Sequence, residues 1–161
     1  MIVSAFSSST RLNDFDLLSE NTKKWKAEYG HHYEGAEVER MYAGKAWSEV
    51  DAALLEACNG GFSYLSTKAR AYFLPAIIVM VIDRSWDAPG IVFDGLFTDL
   101  DPDFPSPATS VNREVLGYFS EAQKVAVAEF LDVMAHEEWT LYSENEAQRL
   151  LDGYWGKFLH G

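Results

Sequence analysis

The chain has 161 residues, of which 48% are apolar and 14% aromatic, a composition typical of a globular domain and not of a disordered chain. The 25 Asp and Glu residues outnumber the 13 Lys and Arg residues, which gives a net charge of −12. A surface of that charge repels phosphate backbones and anionic lipids, so we expect neither a nucleic-acid nor a membrane partner. It attracts basic proteins.

The length is that of one compact domain, which we expect to span residues 1–161. Cys58 is the single cysteine, so no disulfide can form within the chain, and we expect a buried, inert thiol and a cytoplasmic protein. The N-terminus lacks the basic and apolar regions of a signal peptide. The apolar run from Ala71 to Ile82 is interrupted by Pro75 and is too short to cross a bilayer.

The first 13 residues show no clear pattern. The rest of the first half of the chain predicts helices. Asp14 to Tyr29 places Phe15, Leu18, Trp25 and Tyr29 at spacings that fit one helical face. Ala36 to Ala43 predicts a short helix, and Trp47 to Asn59 predicts another that stops at a Gly-Gly pair.

The central element follows in FSYLSTKARAYFLPAIIVMVID, residues 62–83. Ser66 can cap the backbone N–H groups that follow it, and the apolar residues from Ala71 onward predict a helix buried on all sides. Pro75 removes one intrahelical hydrogen bond, so we expect a kink or a restart there. The β-branched residues that follow also allow a buried strand, but the cap and the length favour the helix.

Residues 86–110 are rich in proline and aspartate and predict one long connection, with a short strand or extended segment at residues 90–98. Two helices then have capping-box starts, at Ser120 and at Ser143. We therefore predict a mainly α protein, a single-domain bundle of about five to seven helices around a kinked, buried central helix.

Several short motifs resemble a bacterial family known only as domain of unknown function 6714. They are spread over residues 34–155 in the order found in that family: Gly44-Lys45 with Trp47, Phe62 to Ala69, Tyr72 to Ala76, Phe119-Ser120 with Gln123, and Tyr154-Trp155. The resemblance implies a shared helical fold and no catalytic residues. The chain departs from the family before the first motif, where it reads GHHYEGAEVER.

His31 and His32, with Glu34 nearby, are the residues that suit a transition metal best. Adjacent histidines diverge on a helix or a strand, and the chain has no HExxH or CxxC, so a surface pair is the favoured interpretation. Asp99, Asp101 and Asp103 have the alternate spacing of a calcium loop. Because Phe104 stands where that loop needs glycine, we expect no calcium. The sequence has no G-x-S-x-G motif and no Gly-rich phosphate loop, so we expect no other cofactor and no catalytic site.

One hypothesis and two alternatives from other classes remain. The first is a non-catalytic binding protein that neutralises a basic partner, as an immunity protein neutralises a toxin, and it rests on the net charge. The alternatives are an enzyme or metal protein centred on His31 and His32, and a scaffold or regulatory protein. The partner and the oligomeric state stay open. The expected contact residues of the first hypothesis are the surface acids Asp94, Asp99, Asp101, Asp103, Glu137, Glu138, Glu144 and Glu146.

Overall fold

Nine α-helices lie in the part of the chain that the structure, a computed structural model, describes. The described residues are 1–33, 35–58, 62–83, 90–104, 109–136 and 141–159. No β-strand occurs among them, so the predicted mainly α class is confirmed. The helices are α1 (Ile2–Phe6), α2 (Glu20–Tyr29), α3 (Ala36–Tyr42), α4 (Ala52–Ala57), α5 (Thr67–Ile82), α6 (Gly90–Leu100), α7 (Thr109–Gly117), α8 (Glu121–His136) and α9 (Leu141–Gly153).

Backbone contacts divide the chain into two units. The N-terminal unit is Ser9–Gly95, and the C-terminal unit consists of Met1–Ser8 together with Leu96–Gly161. The boundary falls inside α6. The expectation of a single domain over residues 1–161 stays a prediction.

In the N-terminal unit, α5 is the buried central helix that the sequence predicts. The Ser66 hydroxyl accepts a hydrogen bond from the Ala69 N–H at 3.0 Å, and the helix continues through Pro75 without a restart. Phe73, Leu74 and Ile78 are almost fully buried. No helix in the described ranges has the length and apolar character needed to cross a membrane. The kink at Pro75 stays a prediction.

Two backbone hydrogen bonds join the segment before α2 to the segment before α5. The Ser19 N–H donates to the Tyr64 carbonyl and the Ser66 N–H donates to the Leu17 carbonyl, both at 2.9 Å. They flank an isolated antiparallel bridge between Leu18 and Leu65. Both Ser19 and Ser66 are helix N-caps, so this pairing aligns the starts of two helices.

In the C-terminal unit, α8 packs against α9 and against α1. Phe6 and Phe119 meet edge to face with their ring centroids 5.7 Å apart. The predicted capping box at the start of α8 is confirmed: the Gln123 N–H donates to the Ser120 hydroxyl, and the Ser120 N–H donates to the Gln123 side chain. Val127, Leu131 and many other apolar residues of α8 are buried.

Two predicted helices are shorter than the sequence indicates. Residues 14–29 form a 3-10 helix at Asp14–Asp16 and then α2, because the Ser19 hydroxyl caps a new start. Of the helix predicted over residues 47–59, the described residues 47–58 likewise form a 3-10 helix at Trp47–Glu49 and then α4, because the Asp51 carboxylate accepts the Leu54 N–H at 2.8 Å. Short polar side chains bond the local backbone and so interrupt apolar patterns that otherwise look continuous.

The prediction of one long connection over residues 86–110 is wrong. Residues 90–98, expected to be a strand or extended, lie in α6, whose one face buries Leu96, Phe97 and Leu100 at helical spacing. Helix α7 already begins at Thr109. Residues 84–89 and 105–108 lie outside the described residues. The capping box predicted at Ser143 is also wrong, because α9 begins at Leu141 and Ser143 lies within it.

The Ser66 cap can be tested by Ser66→Ala. The Ser66 hydroxyl accepts the Ala69 N–H and donates to the Asp16 carbonyl, so its loss leaves two local groups without that partner. We expect a loss of about 1 kcal/mol in the free energy of unfolding, measured by urea titration. Ser63→Ala is the control, because Ser63 is exposed. Equal stabilities of the two variants would contradict the cap.

Candidate functional site

The acidic turn, which consists of the last two residues of α6 and the three that follow them (residues 99–103), contains three of the acids expected to bind a partner. Asp99 and Asp101 are each only 3% exposed. The expectation that they are surface contact residues is therefore wrong. Asp103 is exposed, and its carboxylate pairs with the guanidinium of Arg113. The turn thus divides into buried and exposed acids.

Side chains from two other elements satisfy the carbonyl groups at the end of α6. The Asn112 amide of α7 donates to the Thr98 carbonyl at 2.7 Å and to the Asp101 carbonyl at 3.0 Å. The Trp155 indole N–H donates to the Leu100 carbonyl at 2.8 Å. The last carbonyls of a helix lack intrahelical donors, so these bonds replace what water would otherwise supply. They tie the acidic turn to α7 and to the end of the chain.

The buried carboxylate of Asp101 has two further donors. Arg149 of α9 reaches one oxygen at 2.8 Å, and the Asp103 N–H donates to the other at 2.9 Å. Arg149 also bonds Glu146, 2.8 Å away. Hydrogen bonding to Glu146 raises the pKa of Arg149, partial burial lowers it, and the bond to Asp101 raises it, with a net increase. Asp101 and Glu146, both expected to bind a partner, are instead joined to one arginine.

A cavity with a volume of about 310 Å³ lies beside this turn, within the C-terminal unit. It combines apolar groups with charged ones and is lined by Pro102, Asp103, Arg113, Leu116, Gly117, Lys124 and Tyr154. The Arg113 guanidinium donates to the Pro102 carbonyl at 3.1 Å and also to Asp103. Lys124 pairs with Glu121 at 2.7 Å. None of the basic lining residues was selected from the sequence, because they come from different helices.

The side chains of the other acids expected at a partner surface are not among those that the structure describes. Glu137 and Glu138 lie outside the described residues, and the side chains of Asp94 and Glu144 lie outside the described side chains. The structure adds two partly exposed acids on α8, Glu129 and Asp132, which share one helix face with His136. Their spacing of three and four residues is visible in the sequence, once the buried face of α8 is known.

His31 and His32 lie in a 3-10 helix and are both exposed, as expected of a surface pair. Glu34 lies outside the described residues. Within the described part of the chain, no group of three His, Cys, Asp or Glu side chains is arranged to hold a metal ion. The metal hypothesis therefore has no supporting geometry in those residues.

The same region holds a hydrogen-bonded network that the sequence did not indicate. The Tyr33 hydroxyl donates to Glu39 at 2.5 Å, and Lys26 pairs with the other Glu39 oxygen at 2.6 Å. Partial burial acts to raise the pKa of Glu39, but the bonds from Lys26 and Tyr33 outweigh it and the pKa is lowered. Burial and the bond to Glu39 together raise the pKa of Tyr33 far above its usual range. Tyr33 is therefore neutral and Glu39 ionised at neutral pH.

Helix α2 does not bury the aromatic face predicted for residues 14–29. Leu18 is buried, but Phe15, Trp25 and Tyr29 are 78%, 42% and 57% exposed. Trp25 and Tyr29 line a surface cavity of about 400 Å³ together with His32 and Tyr33. The 3-10 helix before α2 breaks the continuous face that the spacing predicts.

Cys58 lies at the end of α4 and is partly rather than fully buried. Its Sγ lies 3.1 Å from the Met41 Sδ. Burial and the nearby Glu37 raise the pKa of the Cys58 thiol, against the opposing effect of Arg40. A raised pKa leaves little thiolate at neutral pH, which agrees with the expected inert thiol.

The residues that carried the family resemblance have structural roles. Gly44 adopts a positive φ of 69°, which favours glycine, and its N–H donates to Asp14 at 3.1 Å. Ser66 and Ser120 cap helices, and Trp155 bonds the end of α6. These positions shape a turn, cap helices or bond to the end of a helix, as expected of a mainly α protein with a helical scaffold.

The chain belongs to the family described as "Family of unknown function (DUF6714)", whose model matches residues 1–159. The match is wider than the predicted region of residues 34–155 and includes the divergent first part of the chain. No curated protein and no solved structure matches the chain.

The role of the buried acid can be tested by comparing Asp101→Asn with Asp103→Asn. Asp101→Asn weakens a buried, charge-assisted bond to Arg149, and we expect it to lower the free energy of unfolding by about 1–3 kcal/mol. Asp103→Asn affects an exposed pair and should change it by less than about 1 kcal/mol. Urea titration measures both. A larger loss for Asp103→Asn than for Asp101→Asn would show that our structural assignment is wrong.

The network around Tyr33 predicts a pH dependence. Because folding lowers the pKa of Glu39 from its ordinary value of 4.5, its contribution to stability is fully present above that pH and is lost as the pH falls below it. Glu39→Gln should cost about 1 kcal/mol at pH 7 and reduce the further loss of stability in acid. Urea titrations across this pH range measure it, with the exposed Glu28→Gln as control. An unchanged acid dependence in Glu39→Gln would refute the assignment.

Proposed function

We propose that this protein is a non-catalytic acidic binding protein that binds and neutralises a basic protein partner, as an immunity protein covers a toxin. One observation carries the proposal: the negative charge is concentrated in one unit. Residues 96–161 contain 12 acidic and 4 basic residues, a net charge of −8, whereas residues 9–95 contain 13 and 9, a net charge of −4. The first 8 residues have no charged side chain.

The four basic side chains of the C-terminal unit all have intramolecular contacts. Arg113 pairs with Asp103, Lys124 with Glu121, and Arg149 with Asp101 and Glu146. The Lys157 ammonium lies 3.9 Å from the centre of the Tyr154 ring. These four basic residues balance only part of the acidic residues of the unit, so the field outside the unit is negative. A negative field accelerates encounter with a basic protein and repels an acidic one.

The proposed contact surface is the exposed side of α8 and the acids that follow it. On α8, Glu129 and Asp132 adjoin Val133, which is 40% exposed. In the sequence, Glu137, Glu138 and Glu144 come next. An exposed apolar residue with two acids beside it supports the proposal, because charge sets the association rate while apolar burial supplies much of the affinity.

Buried Asp99 and Asp101 are left out of this surface, and so are Asp103 and Glu146, which are already paired with arginines. Asp132 lies 3.3 Å from the His136 Nδ1 but pairs with no arginine or lysine among the described residues, so it is kept. The proposal therefore keeps Glu137, Glu138 and Glu144 from the sequence prediction and adds Glu129 and Asp132. The enzyme and scaffold alternatives have no observation in the described residues that favours them over this one.

The proposal is tested by affinity capture of the tagged chain from its own host at low and at high salt, followed by mass spectrometry. We expect one stoichiometric basic protein that is retained at low salt and lost at high salt. The purified pair should then associate with a rate constant that falls steeply as salt is raised, measured by stopped-flow fluorescence. Failure to recover any stoichiometric basic partner would sink the proposal.

Matched charge variants locate the contact surface. The quadruple variant Glu129→Gln, Asp132→Asn, Glu137→Gln, Glu138→Gln should slow association by about tenfold at low salt, since each rim charge contributes to steering. The control removes four acids from the N-terminal unit with Glu20→Gln, Glu28→Gln, Asp51→Asn and Glu56→Gln. Equal slowing by both sets would show that net charge alone is responsible and would contradict the assigned surface.

A further inference from the structure

The basic residues of the C-terminal unit are not scattered over it. Arg113 and Lys124 line the cavity of about 310 Å³ beside the acidic turn, and Lys157 lies against the ring of Tyr154, which also lines it. Two of the four basic residues of a unit with net charge −8 thus line one cavity, and a third contacts a residue of its wall. Asp103 is the acidic residue among those that line it.

We propose that this cavity is a binding site for a small organic anion that carries a carboxylate or phosphate on a flat, apolar body. The cavity volume is at the lower end of the range of small-ligand sites, about 300–1,000 Å³. Buried Leu116 and Pro102 and the ring of Tyr154 supply apolar contact. Arg113 and Lys124 supply the donors for the anionic group.

Arg113 and Lys124 both have N–H donors left for a ligand. Arg113 uses its Nε for the Pro102 carbonyl and its Nη2 for Asp103, which leaves Nη1 without a partner among the described residues. Lys124 has three N–H donors and gives one to Glu121, whose side chain is 77% exposed. The Arg113–Asp103 pair is exposed, and exposed ion pairs contribute little, so an anion can displace the Asp103 carboxylate at low cost. The Lys124 side chain is only 18% exposed, and it can bind an anion through the donors that Glu121 does not use.

Gly117, at the end of α7, leaves the cavity open. A Cβ atom placed on Gly117 would meet no atom of the described residues within 4 Å. Because Gly117 lines the cavity, we expect a larger side chain at this position to occupy part of the cavity without entering the protein core. This gives a variant that blocks the site and leaves all of its charged groups in place.

Asp103 also lines the cavity and opposes an anion. Glu121 pairs with Lys124, so the two lining cations are matched by two carboxylates, and an anion binds by displacing Asp103 and by using the remaining donors of Lys124. The field of the more distant acids is screened over about 8 Å at physiological salt. We therefore expect modest affinity that weakens as salt is raised. A ligand without an anionic group should gain nothing from Arg113 or Lys124.

The test is a titration of the full chain, followed by ¹H–¹⁵N NMR, with phenyl phosphate and with benzoate as the two anionic probes. We expect at least one of them to cause saturable shifts at Leu116, Gly117 and Tyr154, with a dissociation constant of about 1 mM or lower. The two arms distinguish a phosphate site from a carboxylate site. Benzamide, the neutral analogue, should bind at least about tenfold more weakly.

Three variants complete the test. Gly117→Leu should abolish the shifts, whereas Gly95→Leu, which also adds a side chain to a helical glycine with open space around it, should leave them unchanged. Lys124→Gln should weaken binding about tenfold. As a control, a well-dispersed spectrum shows that a variant is folded.

The proposal is overturned if neither anion causes saturable shifts up to about 10 mM. It is also overturned if inorganic phosphate binds as tightly as phenyl phosphate, or if Gly117→Leu retains binding. Because the titration needs no protein partner, its outcome is independent of the proposed function.

Discussion

The C-terminal unit depends on how the end of α6 is satisfied. The carbonyls of Thr98, Leu100 and Asp101 accept hydrogen bonds from the side chains of Asn112 and Trp155, residues that lie far along the chain. A helix end that is buried without donors costs free energy, so burial of α6 requires α7 and the final 3-10 helix, Trp155–Phe158, to be in place. The Asp101 carboxylate adds α9 to the same point through an arginine. The acidic turn, together with Thr98, thus bonds to three later elements: α7, α9 and the final 3-10 helix.

This constraint separates the acids of the chain into two kinds. Asp101 and its neighbour Asp99 are buried, and Asp101 is used to hold elements together. Glu129 and Asp132 on α8 are at the surface, where they contribute to the negative field of the unit. A residue count treats both kinds alike. For a binding protein only the second kind can meet a partner, and the proposed surface therefore lies on α8 and beyond it.

The same turn also forms one wall of the cavity, through Pro102 and Asp103. Holding the turn against α7 brings Arg113 to the cavity, where it faces the same space as Lys124 of α8. A pocket that offers basic hydrogen-bond donors can persist in an acidic unit because screening limits distant charges while direct hydrogen bonds act at contact. The two proposals accordingly concern different charges and different distances, one a long-range field and the other a local site.

The amino-acid sequence by itself determined the mainly α class, the cap of α5 at Ser66, the capping box of α8 and the family. The first three features depend on residues three or four positions apart, whose interactions are local, and the family depends on short motifs in a common order. The sequence did not reveal that residues 90–100 form a helix, that Asp99 and Asp101 are buried, or that Arg113 and Lys124 share a cavity. The helical spacing of Leu96, Phe97 and Leu100 is local, but so short an apolar pattern does not separate helix from strand. The other two outcomes depend on contacts between residues distant in the chain, such as the bond from Arg149 to Asp101, and no local spacing encodes them. Only the tertiary structure decides them, because burial sets whether an acid is paired within the fold or presented to a partner.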